Sequence, residues 1–269
     1  MKEIKFQKNE ICTQIARRTL LSIFDSFDHK YIINMSNRRD RRDRIIRNLA
    51  IIGLSMERAG IRWFDAMAFD DAAGFPGVGV RGCFNSHQEL MRRCGQFGQP
   101  MLVMEDDVDF DIRALAASEN VAERLHEQVW DIVYLGYIEP AEPSYEPNLG
   151  IYPGLTIGGH FYGVQSEFAA GIADWMAAAA TRQPGDPQGG PMYRDAAFNM
   201  FRSLGRADSK SREWTTRIAT PCLARQYSSR SDLRLKHPFY DEVPSLRAVV
   251  NIGRSLKSKM RARSTWNTK

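Results

Sequence analysis

The hydrophobic and polar positions of this chain follow two periods. Apolar residues at helical spacing predict helices over residues 10–27, about 38–52, about 84–93 and 193–204. Short apolar runs between turn residues predict strands over residues 31–35, 62–66, 101–104, 131–136 and 160–164. Because helices and strands alternate, we expect an α/β domain whose mostly parallel sheet is covered by helices on both faces.

Local signals add detail to this pattern. Ser36 is the expected cap of the second helix, with its arginines outward and Ile45, Ile46 and Leu49 inward. A glycine-rich loop, with Gly74, Gly77, Gly79 and Gly82, is expected before the helix at 84–93. Residues 137–159 and 183–191 are rich in proline and glycine, which is typical of binding loops and also of disorder.

A cluster of acids follows the apolar run at residues 101–104. Glu105, Asp106 and Asp107 end the run, and Asp109 comes soon after. Ligands of open α/β sheets bind at the carboxyl ends of the strands, where these acids are expected. Neighbouring carboxylates repel one another unless a cation neutralises them, and their oxygens suit Mg²⁺ or Mn²⁺. The alternative is a solvated acidic turn, which is the commoner outcome for an acidic triplet taken in isolation.

Length and composition favour one large domain. The chain has 269 residues, 43% of them hydrophobic, which is enough for one sizeable core. We expect an N-terminal helical extension over residues 1–30, the main domain over 31–240 and a basic amphipathic tail over 241–269. No apolar stretch has the roughly 20 residues of a membrane helix, and the N-terminus lacks the apolar core of a signal peptide, so a cytoplasmic protein is expected. The four scattered cysteines predict reduced thiols.

Positive charge is concentrated in two places. Six arginines lie between Arg38 and Arg47, and seven Lys and Arg residues follow Glu242 without another acid. Such clusters attract nucleic acid, nucleotide phosphates or anionic lipid. A nucleic-acid-binding protein or metal-dependent nuclease predicts aromatic residues among the basic ones, but the arginine cluster has none and the tail has only Trp266. We therefore expect no nucleic acid. The segment 246–260 is expected to form a basic amphipathic helix that meets the inner face of an anionic membrane, and a solvated or disordered terminus is the alternative.

Four segments, in order, resemble a known family. They are IINMSNRRDRR (residues 32–42), GVRGCFNSH (79–87), LVMEDDV (102–108) and DIVYLG (131–136). The chain resembles glycosyltransferase family 25, which contains bacterial lipooligosaccharide galactosyltransferases and collagen galactosyltransferases. The resemblance implies a GT-A-like, Rossmann-like nucleotide-sugar fold. It also implies inverting transfer of a sugar, expected to be galactose, from a UDP-sugar to a saccharide or lipid-linked acceptor in surface-polysaccharide biosynthesis.

The same resemblance assigns expected roles to residues of the donor site. Asp107 is expected to ligate Mn²⁺ or Mg²⁺, and Glu105 and Asp106 to contact the metal or the ribose, with Asp109 as a helper. Asn34, Arg39 and Arg42 are expected near the nucleotide, where an arginine can grip phosphate or stack on uracil. Ser86 and His87 match the family's Ser-His pair and are expected either to bond the donor or to be internal residues near a helix start.

An inverting transfer also needs a base for the acceptor hydroxyl, and a carboxylate is the usual choice. Asp195, which follows the glycine-rich segment 185–190, is the candidate, and an ordinary first-turn helix acid is the alternative. The cleft is expected to include Tyr162, Gln226, Ser229, Arg230 and Asp232. The chain departs from the family at Met35 and Ser36, in the residues before the first strand and around Asp195. A non-catalytic binding module with the same fold is the remaining alternative.

Overall fold

The computed structural model of the chain describes residues 2–138, 148–207 and 213–227. Its helices are α1 (Lys2–Asp25), α2 (Arg39–Ile51), α3 (Val78–Phe97), α4 (Ile112–Ala116), α5 (Val121–Glu127), α6 (Ser166–Thr181) and α7 (Arg194–Ala207). Its strands are β1 (His29–Asn34), β2 (Arg62–Asp65), β3 (Met101–Glu105), β4 (Val108–Phe110), β5 (Ile132–Gly136), β6 (Asn148–Ile151), β7 (Phe161–Val164), β8 (Thr216–Thr220) and β9 (Ala224–Gln226).

The described strands form one mixed sheet, most of which runs in one direction. The order is β2-β1-β3-β7-β5-β8-β6, and β9 joins β5 to β4. Strands β1, β2, β3, β5, β8 and β9 are parallel to one another, while β4, β6 and β7 run the opposite way. The expected α/β class, with a mostly parallel sheet between helices, is confirmed. In register, Asn34 lies beside Asp65 and Ile33 beside Glu105, so three strand ends meet at one edge.

Alternation along β3 divides the core between the two faces of the sheet. Leu102 and Met104 join a cluster with buried residues of α1, α2, α4 and α5. Met101 and Val103 join a second cluster with residues of α3, α6 and α7. Because side chains of a strand alternate between faces, Glu105 continues on the α3 and α7 side. The Glu105 side chain can therefore contact residues of α3 and α7.

The N-terminal helix belongs to the core. Leu20, Ile23 and Phe24 of α1 are fully buried, and α1 packs against α4 and α5. Burial of each such side chain contributes roughly 1.5–3 kcal/mol. Within the described residues, no helix combines the length and apolarity needed to cross a bilayer.

Some local expectations about α2 were wrong. The Arg38 amide donates to the Met35 carbonyl at 2.8 Å, so residues 35–38 form a turn and Ser36 does not cap the helix, which begins at Arg39 without a side-chain cap. Ile45 and Leu49 are buried as expected, but Ile46 is 48% exposed because it lies about 100° around the helix from Ile45.

The glycine-rich loop was also placed wrongly. Helix α3 begins at Val78, well before residue 84, so Gly79 and Gly82 are helical. A Cβ on Gly82 would lie 2.6 Å from the Met67 carbonyl oxygen, so glycine permits the close approach of α3 to the segment after β2.

The strands that the pattern missed are short and depend on their partners. β6 lies within the expected loop 137–159, and β8 and β9 were not expected at all. β6 pairs antiparallel with β8, and β9 pairs antiparallel with β4. The expected helix at 246–260 lies outside the described residues, as do Ser229, Arg230 and Asp232.

Candidate active site

The acidic cluster lies at the end of β3, but its members face different ways. Glu105 is the last residue of β3, and Asp106 and Asp107 form the turn that leads to β4. Asp109 lies within β4, where its Oδ2 is 3.3 Å from Arg44 Nη2. The acids therefore leave the strand together, as expected, and then take separate partners.

Asp106 joins the turn to β1 and α2. Its Oδ2 accepts a bond of 2.7 Å from Asn34 Nδ2, and its Oδ1 pairs with Arg41. The Asn34 side chain is also bonded by Arg42, whose Nε donates to Oδ1 at 2.5 Å while its Nη2 reaches Asp65 at 2.7 Å. Burial raises the pKa of Asp106, against the opposing effect of Arg41. Asn34 and Arg42, both expected site residues, thus hold the strand ends together.

Asp107 is the acid with spare bonding capacity. Its Oδ2 accepts a bond of 3.0 Å from Gln226 and lies 3.8 Å from Arg41 Nη1. Its Oδ1 is buried and has no hydrogen-bond partner among the described residues. Burial, together with the charge of Glu105, raises its pKa to about 8. A hard divalent cation would supply the missing partner and favour the ionised form, so Asp107 fits the expected metal ligand.

A cavity of about 170 Å³ opens in front of this turn. Its lining residues are mostly charged: Asp40, Arg41, Arg44, Arg47, Asp106, Asp107 and Tyr227. Arg41, Arg44 and Arg47 are three residues apart on α2 and so share a face of the helix. The Arg44 guanidinium carbon lies 3.2 Å from the centre of the Tyr227 ring. The cavity thus combines cations and acids in the way that a phosphate group with a metal ion requires.

The arginines that line this cavity are not the ones expected. Arg39 is exposed at the start of α2 and is not part of the lining, and Arg42 is engaged by Asn34 and Asp65. The spacing of Arg41, Arg44 and Arg47 was visible in the sequence. It could not be used, because six arginines cover several faces of the helix and only the packed position of α2 selects one.

On the other face of the sheet, Glu105 lies in a buried polar cluster. Arg194 Nη2 donates to Glu105 Oε1 at 2.8 Å, and His87 Nε2 is 3.4 Å from the same oxygen. Although burial opposes it, the His87 bond and the Arg194 charge lower the pKa of Glu105 to about 2. Burial and Arg194 lower the pKa of His87, whose Nδ1 is 2.8 Å from the Tyr162 hydroxyl.

Ser86 and His87 lie well inside α3, so the expectation that they stand near a helix start was wrong. The Ser86 hydroxyl donates to the Gly82 carbonyl at 2.7 Å and accepts from the Met67 amide at 2.8 Å. Both residues therefore have partners within the protein, and Tyr162 is fully buried beside them.

Cys83, His87 and Glu105 place one potential ligand atom each within 4.8 Å of one another. They do not fit a resident metal ion, because Arg194 already gives Glu105 a positive partner. Burial and the charge of Glu105 also raise the pKa of Cys83 to about 12, so its thiol keeps its proton.

Asp195 belongs to the same cluster. Its Oδ1 is 2.7 Å from Arg194 Nη1, and its Oδ2 accepts the Gly158 amide at 2.8 Å. It lies in the first turn of α7, as expected, with its side chain 28% exposed. The structure thus brings Asp195 to the acidic turn through Arg194, a residue that sequence reasoning missed.

An α/β sheet whose strand ends carry acids beside an arginine-lined cavity is typical of enzymes that bind nucleotide phosphates with a divalent ion. Comparison with known proteins is more specific: the chain is similar to members of the glycosyltransferase 25 family. No family model matches it.

Three relatives carry this similarity. A zebrafish (Danio rerio) procollagen galactosyltransferase 1 is 29% identical over 130 residues, which cover 41% of this chain and 21% of the relative. A human protein named inactive glycosyltransferase 25 family member 3 is 27% identical over 158 residues, 51% of this chain and 26% of the relative. A glycosyltransferase 25 family member from Anopheles gambiae is 29% identical over 129 residues, 41% and 22% respectively. The matches thus span about a quarter or less of these curated relatives.

Proposed function

We propose that this protein is a glycosyltransferase that moves a sugar from a nucleotide-sugar donor to a saccharide or lipid-linked acceptor. The observation that carries the proposal is the similarity to glycosyltransferase 25 family members, one of which is named a galactosyltransferase. The arginine-lined cavity beside Asp107 supports it, because a nucleotide-sugar donor leaves as a diphosphate whose charge must be stabilised.

The donor in this proposal is a UDP-sugar, with galactose as the sugar. Asp107 would hold Mn²⁺ or Mg²⁺, which supplies positive charge to the leaving diphosphate. Arg41, Arg44 and Arg47 face the same cavity and would contact the phosphates. Asn34 and Arg42 would act on the donor indirectly, because their hydrogen bonds hold Asp106 and the end of β1 in place. Arg39, Ser86 and His87 are also proposed to act on the donor side.

Asp195 is our proposed base for an inverting transfer. Each of its oxygens has one described partner. A carboxylate oxygen has a second lone pair, which can receive a hydrogen bond from the hydroxyl of the acceptor substrate. The nearby Gly158 and the segment before α7 would then border the acceptor.

A non-catalytic nucleotide-sugar-binding protein is the second candidate. Two observations favour it: Glu105 is neutralised by Arg194, and one similar protein is named inactive. Both candidates would bind the nucleotide-sugar donor, but only the glycosyltransferase would turn it over.

A nucleotide-sugar hydrolysis screen separates the two candidates. The chain is incubated with UDP-galactose, UDP-glucose and other nucleotide sugars plus Mn²⁺, and release of nucleoside diphosphate is measured with and without saccharide acceptors. We expect release from UDP-galactose that excess EDTA abolishes. Binding of UDP by calorimetry without any release would support the binding module, and the absence of both binding and release would contradict both candidates.

We also propose a role in bacterial surface-polysaccharide biosynthesis, with a lipid-linked acceptor at the inner face of the membrane. The basic segment after Glu242 supports this proposal through its charge and its apolar stripe in sequence.

A further inference from the structure

Arg194 stands at a costly position. It is the first residue of α7, where the helix dipole disfavours a positive charge, and its side chain is only 5% exposed. A buried charge needs compensating partners. Arg194 finds them in Glu105 and Asp195, so the reason for its placement lies in those two acids.

The guanidinium spans the two acids with separate nitrogens. Nη2 donates to Glu105 Oε1 at 2.8 Å, and Nη1 forms an ion pair with Asp195 Oδ1 at 2.7 Å that lacks hydrogen-bond geometry. The rings of Tyr162 and Phe198 lie 5.9 and 5.5 Å from its central carbon. A Cβ on Gly159 would come within 3.1 Å of Nη1, so the space on that side is also filled. Arg194 therefore has little freedom to move.

The contacts continue beyond Asp195 and return to the acidic turn. The Gly158 amide donates to Asp195 Oδ2, and the Gly158 carbonyl lies 2.7 Å from His160 Nδ1. His160 Nε2 is 3.0 Å from the Ala224 carbonyl of β9, the strand that also carries Gln226. Burial lowers the pKa of His160, so its neutral ring donates to one of these two carbonyls and only packs against the other. Gln226 in turn binds Asp107, so the segment that contacts Asp195 packs on the strand that holds Asp107.

We infer that Arg194 is a positioning residue that fixes Asp195 relative to the Glu105–Asp107 turn, and so sets the acceptor-side carboxylate against the donor. The inference rests on the proposed function, because it assigns Arg194 to the base of that reaction. A planar guanidinium can hold two carboxylates at once through separate nitrogens in a fixed geometry, whereas a lysine ammonium is a compact charge on a flexible stem and fixes their relative position poorly.

The chain offers a matched control on the same helix. Arg202 is also buried, but its guanidinium bonds neutral groups: the Thr156 hydroxyl at 3.1 Å, the Asn199 side chain at 3.0 Å and the Gly154 carbonyl at 3.0 Å. Arg194→Gln and Arg194→Lys are therefore compared with Arg202→Gln and Arg202→Lys. Thermal unfolding of each variant reports the structural cost separately.

The experiment measures transfer from UDP-galactose, with kcat and KM, and UDP binding by calorimetry. We expect both Arg194 variants to lose kcat by about 10²-fold, the cost of a misplaced reacting group, while the Kd for UDP changes by less than about twofold. The Arg202 variants should keep kcat. Combining Arg194→Gln with Asp195→Asn should add little to either single loss, because the two residues act as one unit.

The outcomes that overturn the inference are distinct. Equal kcat in the Arg194 and Arg202 variants, or additive losses in the double variant, would overturn it and leave the proposed function standing. Weakened UDP binding with unchanged kcat would also overturn it, since Arg194 would then act on the donor. If Arg194→Gln does not fold, Arg194→Lys, which keeps the charge, decides by the same criteria. No transfer by the unaltered chain would overturn both proposals.

Discussion

Asp107 and Asp109 are two positions apart in sequence but differ in their surroundings. Asp107 is buried beside Glu105 and has one oxygen without a hydrogen-bond partner among the described residues, whereas Asp109 is partly exposed beside Arg44. Removal of the charge should therefore have different effects at the two positions.

We predict that Asp107→Asn abolishes metal-dependent activity and stabilises the metal-free fold at high pH. The pKa of Asp107 is raised to about 8, so the folded chain keeps a proton that the unfolded chain releases near pH 4, and stability is lost as the pH rises between these values. In EDTA, the melting temperature of Asp107→Asn should exceed that of the unaltered chain by a margin that grows from pH 5 to pH 8.

Mn²⁺ should reduce this difference in melting temperature, because it stabilises the ionised carboxylate of Asp107 and that carboxylate exists only in the unaltered chain. Asp109→Asn is the control. It removes the ion-pair partner of Arg44, so its melting temperature should not exceed that of the unaltered chain. If the melting temperature of Asp107→Asn exceeds that of the unaltered chain by the same amount at every pH, the raised pKa of Asp107 is contradicted.

Asp195→Asn tests the proposed base directly. The amide keeps an oxygen for Arg194 but cannot take a proton, so we predict retained UDP binding and a loss of transfer of about 10²-fold or more. Unchanged kcat in a steady-state transfer assay would move the base elsewhere, with Asp232 the next acid to test.

Single residues show how far local patterns reach. The acids after residue 104 were predicted as site residues from the end of an apolar run, and Asn34 from the family resemblance. The structure places Asn34 and Glu105 at the same sheet edge, and their roles stay predictions. Arg194 was not identified, because no local sequence pattern indicates that it pairs with Glu105, which is 89 positions away.

At the scale of elements, α2 gives a prediction about which arginines matter. Arg44 lines the cavity beside Tyr227, whereas Arg39 lies exposed outside it. We predict that Arg44→Ala weakens UDP binding by about tenfold to a hundredfold, the loss expected for a hydrogen bond to a charged group. Arg39→Ala is the comparison variant and should weaken UDP binding by less than Arg44→Ala in the same calorimetric titration, because Arg39 lies outside the cavity. The reverse ranking would contradict the cavity as the phosphate site.

Elements differed in how well the sequence predicted them. Strands β1, β3 and β5 are buried apolar runs, and each was predicted to within a residue or two. Strands β8 and β9 have weaker patterns and exist through their pairing with β5, β6 and β4. The start of α3 was missed because its glycines suit a loop, and the close approach of Gly82 to Met67 is visible only in the structure.

At the scale of the whole molecule, we predict that the basic C-terminal segment binds anionic membranes. Each well-placed charge contributes roughly 1 kcal/mol near such a surface, and the apolar stripe adds burial at the headgroups. Truncation after Pro244 should weaken binding to anionic vesicles in a sedimentation assay, and added salt should weaken binding of the full chain. Equal vesicle binding by both forms would remove the segment from the mechanism and leave the transferase proposal unaffected.

The sequence by itself determined the α/β class and the acidic strand end, because periodicity and apolar runs are local properties of the chain. It also carried the resemblance to the glycosyltransferase 25 family. Only the tertiary structure decided which side of the sheet each acid faces, which arginines line the cavity and that Arg194 joins Glu105 to Asp195. These are contacts between distant segments, and their geometry follows from how helices and strands pack rather than from any local pattern.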